Sequence, residues 1–204
     1  MSDRYELRLC GSGGQGLILA GVILAEAAAL YDEKNAVQTQ SYGPESRGGF
    51  SSSVVIISDQ DIDYPKAMKV DVLLALTQQA ADIYAKDIKD EGILIVDNEA
   101  VIDIPTGKYR IYKLPIIDIA RTRLGKVIVA NIVALGAIVG LTKVVSTDAV
   151  KKALFSKIPK GTERLNLSAL EAGIELAIEA SNELLPNAAY IRDRAQGLGK
   201  GFNV

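Results

Sequence analysis

The sequence contains no histidine and a single cysteine, Cys10. Without histidine the chain lacks the commonest general base and metal ligand of proteins. Histidine-dependent triads and histidine-ligated metal sites are therefore excluded within it. A lone cysteine can form neither an internal disulfide nor a Cys-x-x-Cys site, and it cannot hold a cysteine-ligated iron–sulfur cluster. The composition thus offers no obvious acid–base or redox machinery in this chain alone.

The chain also lacks a large net charge and an apolar run long enough to span a membrane. The formal net charge is -2, and no Lys/Arg block with interleaved aromatics occurs, so we expect no binding to nucleic acid or to an anionic membrane. Two apolar runs, at 17–30 and 127–141, are shorter than the ~20 residues of a spanning helix and contain Glu26 and Asn131. The N-terminal "MSDRYELRLC" is charged and alternating rather than signal-like. We expect a cytoplasmic protein whose apolar runs are buried helices.

The order of elements predicts an α/β fold with a largely parallel, doubly wound sheet flanked by helices. Aliphatic residues dominate a chain that is 49% apolar and 5% aromatic, which favours a sheet covered by helices. Strands are predicted to end at Cys10 and Gly43 and to cover "FSSSVVIIS", "VDVLLAL", "GILIVDN" and "KYRIYKL". Helices are predicted over about 15–31, 78–89, "IIDIARTRLG" and 127–141.

Two further helices should close the domain. Ser146 is placed to cap "TDAVKKALFSKI", and Ser168 with Glu171 forms a capping-box pattern at the start of the last helix. From Pro186 onward the periodicity is lost, so we expect one domain over 1–185 and a tail over 186–204.

The stretch "CGSGGQG" is the first candidate site. Gly11, Gly13 and Gly16 match G-x-G-x-x-G directly after a predicted strand and at the start of a predicted helix. Missing Cβ atoms would let a phosphate approach the backbone, where N–H groups at the helix N-terminus point toward it. Gly14 adds room, and Gln15 could hydrogen-bond a ligand or cap the helix.

The rest of the dinucleotide fingerprint is missing. The second strand ends in Gln40 and Ser41 rather than in the acidic residue that would bind a ribose, and no Lys-Ser/Thr pair follows the turn. A nicotinamide enzyme and a Walker A site are therefore disfavoured. Two interpretations of the turn remain open at this point: a phosphate or other anion binds there, or the glycines only permit tight strand–turn–helix packing.

The second candidate site is "QSYGPESRGGF", a turn-rich loop at the end of a predicted strand. Tyr42 offers a stacking face, and Arg47 is suited to bidentate binding of phosphate or carboxylate. The alternative is a solvated surface turn in which Glu45 and Arg47 form an ordinary ion pair. Because both glycine-rich loops are predicted to leave adjacent strands, we expect them to share one site.

Together these stretches resemble the γ subunit of 2-oxoacid:ferredoxin oxidoreductases. The resemblance lies in "GSGGQG", "LAGVILAEAA", "QSYGPESRGG" and "ANIVALGAIVG" and covers most of the chain from Arg8 to about Glu183. The second loop is the more specific match and is closest to the 2-oxoglutarate type. The family also includes pyruvate and branched-chain 2-oxoacid enzymes.

The resemblance implies a multi-subunit enzyme that oxidatively decarboxylates a 2-oxoacid to an acyl-CoA and reduces ferredoxin. Thiamine diphosphate and iron–sulfur clusters would lie in partner subunits: α, β and in some cases a ferredoxin-like δ. This chain would then carry no catalytic residue, no metal and no tightly bound cofactor, but would frame the site and contact coenzyme A (CoA). Alone, it could form a homodimer. The residues assigned to this contact are Gly11, Ser12, Gly13, Gly14, Gln15, Gly16, Tyr42, Ser46, Arg47 and Gly48.

For several other residues we expect structural roles rather than ligand binding. Cys10 should be a small core residue, and Asp97 with Asn98 should begin a turn. Asn131 interrupts an apolar helix and needs hydrogen-bond partners, for which we favour contact with another subunit over an internal bond. Two competing functions also remain: an independent nucleotide-binding oxidoreductase and a non-enzymatic dimerisation scaffold.

Overall fold

A computed structural model describes residues 4–43 and 49–182, which form one mixed sheet with helices on both faces. The strands are β1 (Arg4–Ser12), β2 (Asn35–Tyr42), β3 (Phe50–Ser58), β4 (Val70–Ala75), β5 (Ile88–Asp97) and β6 (Arg110–Leu114). The helices are α1 (Leu17–Glu26), α2 (Gln78–Tyr84), α3 (Ile116–Thr122), α4 (Ala130–Thr142), α5 (Thr147–Lys157) and α6 (Glu163–Asn182). A π-helical turn covers Ala27–Tyr31, and 3₁₀ turns cover Ala85–Asp87 and Val127–Val129.

The sheet has the strand order β2-β3-β1-β4-β5-β6. The pairs β1–β4, β4–β5 and β5–β6 are parallel, whereas β3 is antiparallel to both of its neighbours, β1 and β2. Five strands therefore run in one direction and β3 runs against them, which confirms the predicted largely parallel α/β fold. The division at 185/186 stays a prediction, because residues 183–204 lie outside the described residues.

The alternation of side chains along β1 separates two hydrophobic cores. Leu7 and Leu9 point into the larger core, which the sheet forms with α1, α3, α4, α5 and α6. Cys10 points to the opposite face, where α2 covers the centre of the sheet. Within the described ranges, no helix is both long and apolar enough to cross a membrane.

Helix α4 is buried along most of its length, as its apolar sequence predicts. Every residue from Ala130 to Val139 is buried, and the helix packs against α1, α3 and α6. Its contact with α6 is close because glycines face each other: a Cβ on Gly173 would lie 2.9 Å from the Cα of Gly136 and 2.8 Å from the nitrogen of Ala137. The apolar surface of α4 is thus largely covered within this chain.

Several predicted boundaries are wrong, and for three of them the structure shows what sets the observed boundary. The first strand extends two residues beyond Cys10 to Ser12, because both residues continue to pair with β3. Helix α2 and its 3₁₀ turn end at Asp87 instead of residue 89, because Ile88 already pairs with Val70 in the sheet.

The third error concerns the last helix. It begins at Glu163, five residues before Ser168, so the capping-box prediction is wrong. The chain turns tightly just before this start, where Thr162 Oγ1 donates to the Pro159 carbonyl oxygen at 2.7 Å. Ser168 is an exposed residue inside the helix. Ser146, in contrast, caps α5 as predicted, since its hydroxyl accepts the Ala149 N–H at 3.1 Å.

We expect Ser146→Ala to lower the free energy of unfolding by about 1 kcal/mol, because an N-cap hydrogen bond is lost. The Ser146 hydroxyl also donates to Asp32 Oδ1 at 2.6 Å, so the loss adds to that of the cap. Ser168→Ala should leave stability unchanged or raise it slightly, because alanine is favoured inside a helix. Urea unfolding of both variants measures the difference, and equal losses would contradict the cap assignments.

We expect Gly173→Ala to destabilise the protein by about 1–3 kcal/mol, as overpacking does in other cores. The added methyl would meet backbone atoms of α4, which cannot rotate away as a side chain can. Thermal unfolding against the exposed substitution Ser168→Ala in the same helix measures this cost. A melting temperature equal to that of the control would show that α4 and α6 separate without penalty.

Candidate functional site: the glycine turn

The glycine turn follows β1 at the carboxyl ends of the parallel strands, where α/β sheets commonly place their sites. Gly14 and Gly16 have positive φ angles of 92° and 74°, which L side chains rarely adopt. With these two residues the chain leaves β1 and enters α1 at Leu17. The turn is therefore built on glycine backbone geometry, as the sequence predicts.

Only some of the backbone N–H groups of the turn are used. Ser12 N–H donates to Gln15 Oε1 at 2.7 Å, Gly13 N–H to the Gly49 carbonyl at 2.5 Å, and Gln15 N–H to the Ser12 carbonyl at 3.2 Å. Within residues 4–43 and 49–182, the N–H groups of Gly14 and Gly16 have no hydrogen-bond partner. These two donors lie at the N-terminus of α1, where the helix dipole favours negative charge.

The glycines of the turn have different structural roles. A Cβ on Gly11 would lie 2.9 Å from Leu17 Cδ1 and would collide with the Gln15 side chain, and a Cβ on Gly16 would lie 2.5 Å from Asn131 Nδ2. Among the described residues, a Cβ on Gly14 would meet no atom within 4 Å other than those of its chain neighbours. Gly11 and Gly16 thus serve packing, whereas the exposed Gly14 leaves the backbone open to an approaching group.

Asn131 of α4 holds the glycine turn through a hydrogen bond. Its side-chain Nδ2 donates to the Gly16 carbonyl oxygen at 3.0 Å, and the residue is buried. The favoured expectation of a contact with another subunit is wrong: the amide is used internally, to hold the first turn of α1 against the start of α4. An isolated polar residue in an apolar helix was the only signal in the sequence for this role.

The second loop meets the first at a backbone contact. The Gly49 carbonyl accepts the Gly13 N–H, and the Gly43 N–H donates to the Phe50 carbonyl at 2.6 Å. Tyr42 ends β2 with 65% of its surface exposed. Residues 44–48 lie outside the described residues, so the predicted sites Ser46, Arg47 and Gly48, and Glu45 with them, have no structural account.

The two loops do not leave adjacent strands, which corrects the prediction. Strand β3 lies between β1 and β2, so Tyr42 is two strand spacings, about 10 Å, from the end of β1. The loops still lie together because β3 starts at the same edge at which β1 ends, with Ser12 opposite Phe50.

A cavity of about 210 Å³ opens beside the glycine turn. Gly14 and Gln15 form its polar side, and the other lining residues are apolar: Leu76, Ile117, Val127, Ile128 and Ala130. Val127 and Ile128 are 51% and 73% exposed, so the beginning of the apolar run at 127–141 is not buried as expected. Nothing in the apolar run distinguishes these two residues from the buried ones that follow.

Cys10 and Asp97 are structural, as predicted. Cys10 is fully buried and its thiol donates to Ser52 Oγ at 3.2 Å, and burial raises the pKa of the thiol to about 12. Asp97 is also fully buried: one carboxylate oxygen accepts the N–H groups of Glu99 and Ala100, each at 3.0 Å, and the other accepts that of Ile117 at 2.8 Å. Asp97 therefore holds the turn after β5 and the start of α3.

Comparison with known proteins identifies the family. Residues 6–176 match the family model of pyruvate ferredoxin/flavodoxin oxidoreductase. The chain therefore belongs to this family of oxidoreductases. It is a γ-type subunit, as the sequence resemblance indicates.

Three relatives show which members of the family this chain resembles. Subunit KorC of 2-oxoglutarate synthase from Methanocaldococcus jannaschii is 53% identical over 86% of this chain and 95% of its own length. Subunit VorA of ketoisovalerate oxidoreductase from Methanothermobacter thermautotrophicus is 35% identical over 85% of this chain and 36% of its own length. The crystal structure of the keto/oxoacid ferredoxin oxidoreductase γ subunit from Geobacter sulfurreducens is 53% identical over 86% of this chain and 99% of that one, with a TM-score of 0.78.

We expect stability to fall as the pH rises above about 9, because the unfolded Cys10 thiol ionises near its ordinary value of 9.0 while the folded thiol keeps its proton until about 12. The stabilisation is complete below the unfolded pKa and is lost through this window, by about 1.4 kcal/mol per pH unit. Tyr5, whose pKa burial and the nearby Asp71 raise to about 12, adds a similar loss above pH 10.

Urea unfolding of the wild type and of Cys10→Val between pH 8 and 11 measures how much of the stability loss is due to the Cys10 thiol. The variant should lose stability less steeply above pH 9, since the remaining loss then comes from Tyr5, Tyr84 and Tyr109, whose pKa values burial raises. Parallel curves for the two proteins would show that Cys10 ionises as easily in the folded chain as in the unfolded one.

Proposed function

We propose that this chain is the γ subunit of a 2-oxoglutarate:ferredoxin oxidoreductase. The complex would oxidatively decarboxylate 2-oxoglutarate to its acyl-CoA product and reduce ferredoxin. The higher identity to a 2-oxoglutarate synthase subunit, 53% against 35% for a ketoisovalerate enzyme, supports this substrate over the other 2-oxoacids. The loop "QSYGPESRGG" supports the same choice. The cytoplasmic location stays a prediction.

Redox and decarboxylation chemistry would belong to partner subunits. This chain has no histidine, and its only thiol is buried and held protonated far above neutral pH. Among residues 4–43 and 49–182, no three Cys, Asp or Glu side chains converge to form a metal site. Thiamine diphosphate and iron–sulfur clusters would accordingly be held by the α, β or δ chains, while the γ chain completes the wall of the site.

We further propose that the glycine turn holds an anionic group of CoA in the assembled enzyme. The observation that carries this proposal is the pair of unpartnered N–H donors at Gly14 and Gly16, at the N-terminus of α1. A CoA phosphate oxygen is a fitting acceptor for both donors. Gly14 leaves the approach open, because no described residue other than its chain neighbours has an atom within 4 Å of the position of its missing Cβ.

The adjacent cavity suits an uncharged part of the same ligand. Its walls at Leu76, Ile117 and Val127 are aliphatic, and none of the described residues that line it is charged. An alkyl-amide chain such as that of pantetheine would bury apolar surface there without leaving a charge unpaired. The exposed Ile128 at the rim would be covered by the ligand or by a neighbouring subunit in the complex.

A stand-alone nicotinamide enzyme is a weaker interpretation. In the dinucleotide-binding fold the first strand pairs directly and in parallel with the second strand, whose end carries the acidic residue that binds the ribose. Here the antiparallel β3 separates β1 from β2, and β2 ends in Gln40, Ser41 and Tyr42. A scaffold without any ligand would need no open backbone at Gly14.

The test compares two glycines that have similar backbone conformations but lie in different loops. Gly14 and Gly161 have φ angles of 92° and 87°, and in both a Cβ would meet open space, so alanine strains the backbone equally. We expect Gly14→Ala to raise the Kd for CoA of the assembled enzyme about tenfold, the loss of about one hydrogen bond to a charged group. Gly161→Ala, in the loop between α5 and α6, should bind as the wild type does.

Calorimetric titration of CoA into the purified complex gives both constants. Equal affinities in the two variants would remove the glycine turn from the CoA site. Arg47→Ala, chosen from the sequence, tests the second loop in the same way. Purification of the native complex tests the broader assignment: failure to recover larger oxidoreductase subunits with this chain would contradict the γ-subunit role.

A further inference from the structure

Strand β2 is an edge strand without the usual protection. Within the described residues, β2 pairs only with β3, and its other edge is free. Its sequence, NAVQTQSY, is eight residues long and contains neither charge nor proline, which are the features that commonly block edge pairing. The last four residues of the strand are exposed on both faces of the sheet. Such an edge can pair with another strand.

The hydrogen-bond pattern shows which residues offer their backbone outward. In an antiparallel pair, successive residues alternate between bonding to the neighbour and pointing away from it. Gly43 N–H donates to the Phe50 carbonyl, so Gly43 and every second residue before it face β3. The outward N–H and C=O groups of β2 therefore belong to the even-numbered residues: Ala36, Gln38, Gln40 and Tyr42.

In one antiparallel register, these four residues pair with the same four residues of a second copy of the chain. With the two-fold axis at Thr39, Ala36 stands opposite Tyr42 of the second copy, and Gln38 opposite Gln40. All four outward residues are then hydrogen-bonded, and each side chain faces one on the same side of the sheet. Shifting the axis by one residue would leave at least one end unpaired.

The surface beside the strand favours the same arrangement. Tyr42 lies opposite Ser51, and Gln40 lies opposite Ser53, whose hydroxyl lies against Gly21 of α1; these residues therefore share the α1 face. The turn Ala27–Tyr31 contacts β2 and carries two exposed apolar side chains, Leu30 and Tyr31. In an antiparallel pair, Tyr42 of one copy would lie opposite Ala36 of the other, at the end of β2 that follows this turn.

We propose that β2 pairs antiparallel with β2 of a second copy of this chain, about a two-fold axis at Thr39, and extends the sheet across a homodimer. The interface is isologous, as a two-fold dimer requires. It brings no like charges together, because the paired strands have none. It does not depend on CoA binding or on the identity of the 2-oxoacid.

The register is tested by disulfide cross-linking of the full-length chain. Thr39 of the two copies would form a non-hydrogen-bonded pair with Cα atoms about 4.5 Å apart, within the range of a disulfide. Ser41 is exposed on the same face, but its two copies would lie about 13 Å apart. Thr39→Cys should therefore give a covalent dimer on mild oxidation and Ser41→Cys should not. The native Cys10 is fully buried and does not compete.

The hydrogen bonds are tested by Gln40→Pro against Gln40→Ala. Proline removes an outward N–H but no bond to β3, so the variant should remain folded while the dimer dissociates. Gln40→Ala retains the N–H and should remain dimeric. Sedimentation equilibrium over a concentration series gives the association state, and circular dichroism confirms folding. A monomeric wild type, a dimeric Gln40→Pro, or equal cross-linking of the two cysteine variants would overturn the proposal.

Discussion

The hydrogen bond from Asn131 to the Gly16 carbonyl joins the core of this protein to its candidate site. Asn131 belongs to α4, which is surrounded by other elements, and Gly16 is the last residue of the turn before α1. A buried amide must be satisfied, and a side chain at Gly16 would lie 2.5 Å from it. The position of the turn, and of the open N–H groups at Gly14 and Gly16, therefore depends on how α4 is packed.

The packing of α4 depends in turn on close contact with α6. Glycines at 136 and 173 let the two helix backbones approach further than any side chain would permit. The same crossing covers the apolar surface of α4 inside this chain. A helix that is hydrophobic on all sides indicates burial, but it does not say whether the covering elements come from the same chain or from a partner.

The antiparallel strand β3 sets this fold apart from a dinucleotide-binding sheet. By pairing between β1 and β2, it brings Gly49 to Gly13 and places the second loop beside the first. It also moves β2 to the edge of the sheet. A strand–turn–helix with G-x-G-x-x-G can thus occur in a sheet whose strand order does not form the nicotinamide site.

Local patterns in the sequence were sufficient where neighbouring residues decide the outcome. Alternation in β1, the glycine turn, the cap at Ser146 and the turn at Asp97 follow from residues a few positions apart, and the structure confirms them. The family followed from two glycine-rich loops and two apolar helix segments. Tertiary contacts alone decided that Asn131 bonds to Gly16, that β3 separates β1 from β2 and that Ile128 is exposed. Those outcomes depend on residues distant in the chain, since strand order and the partner of a buried amide are set by which surfaces meet on folding.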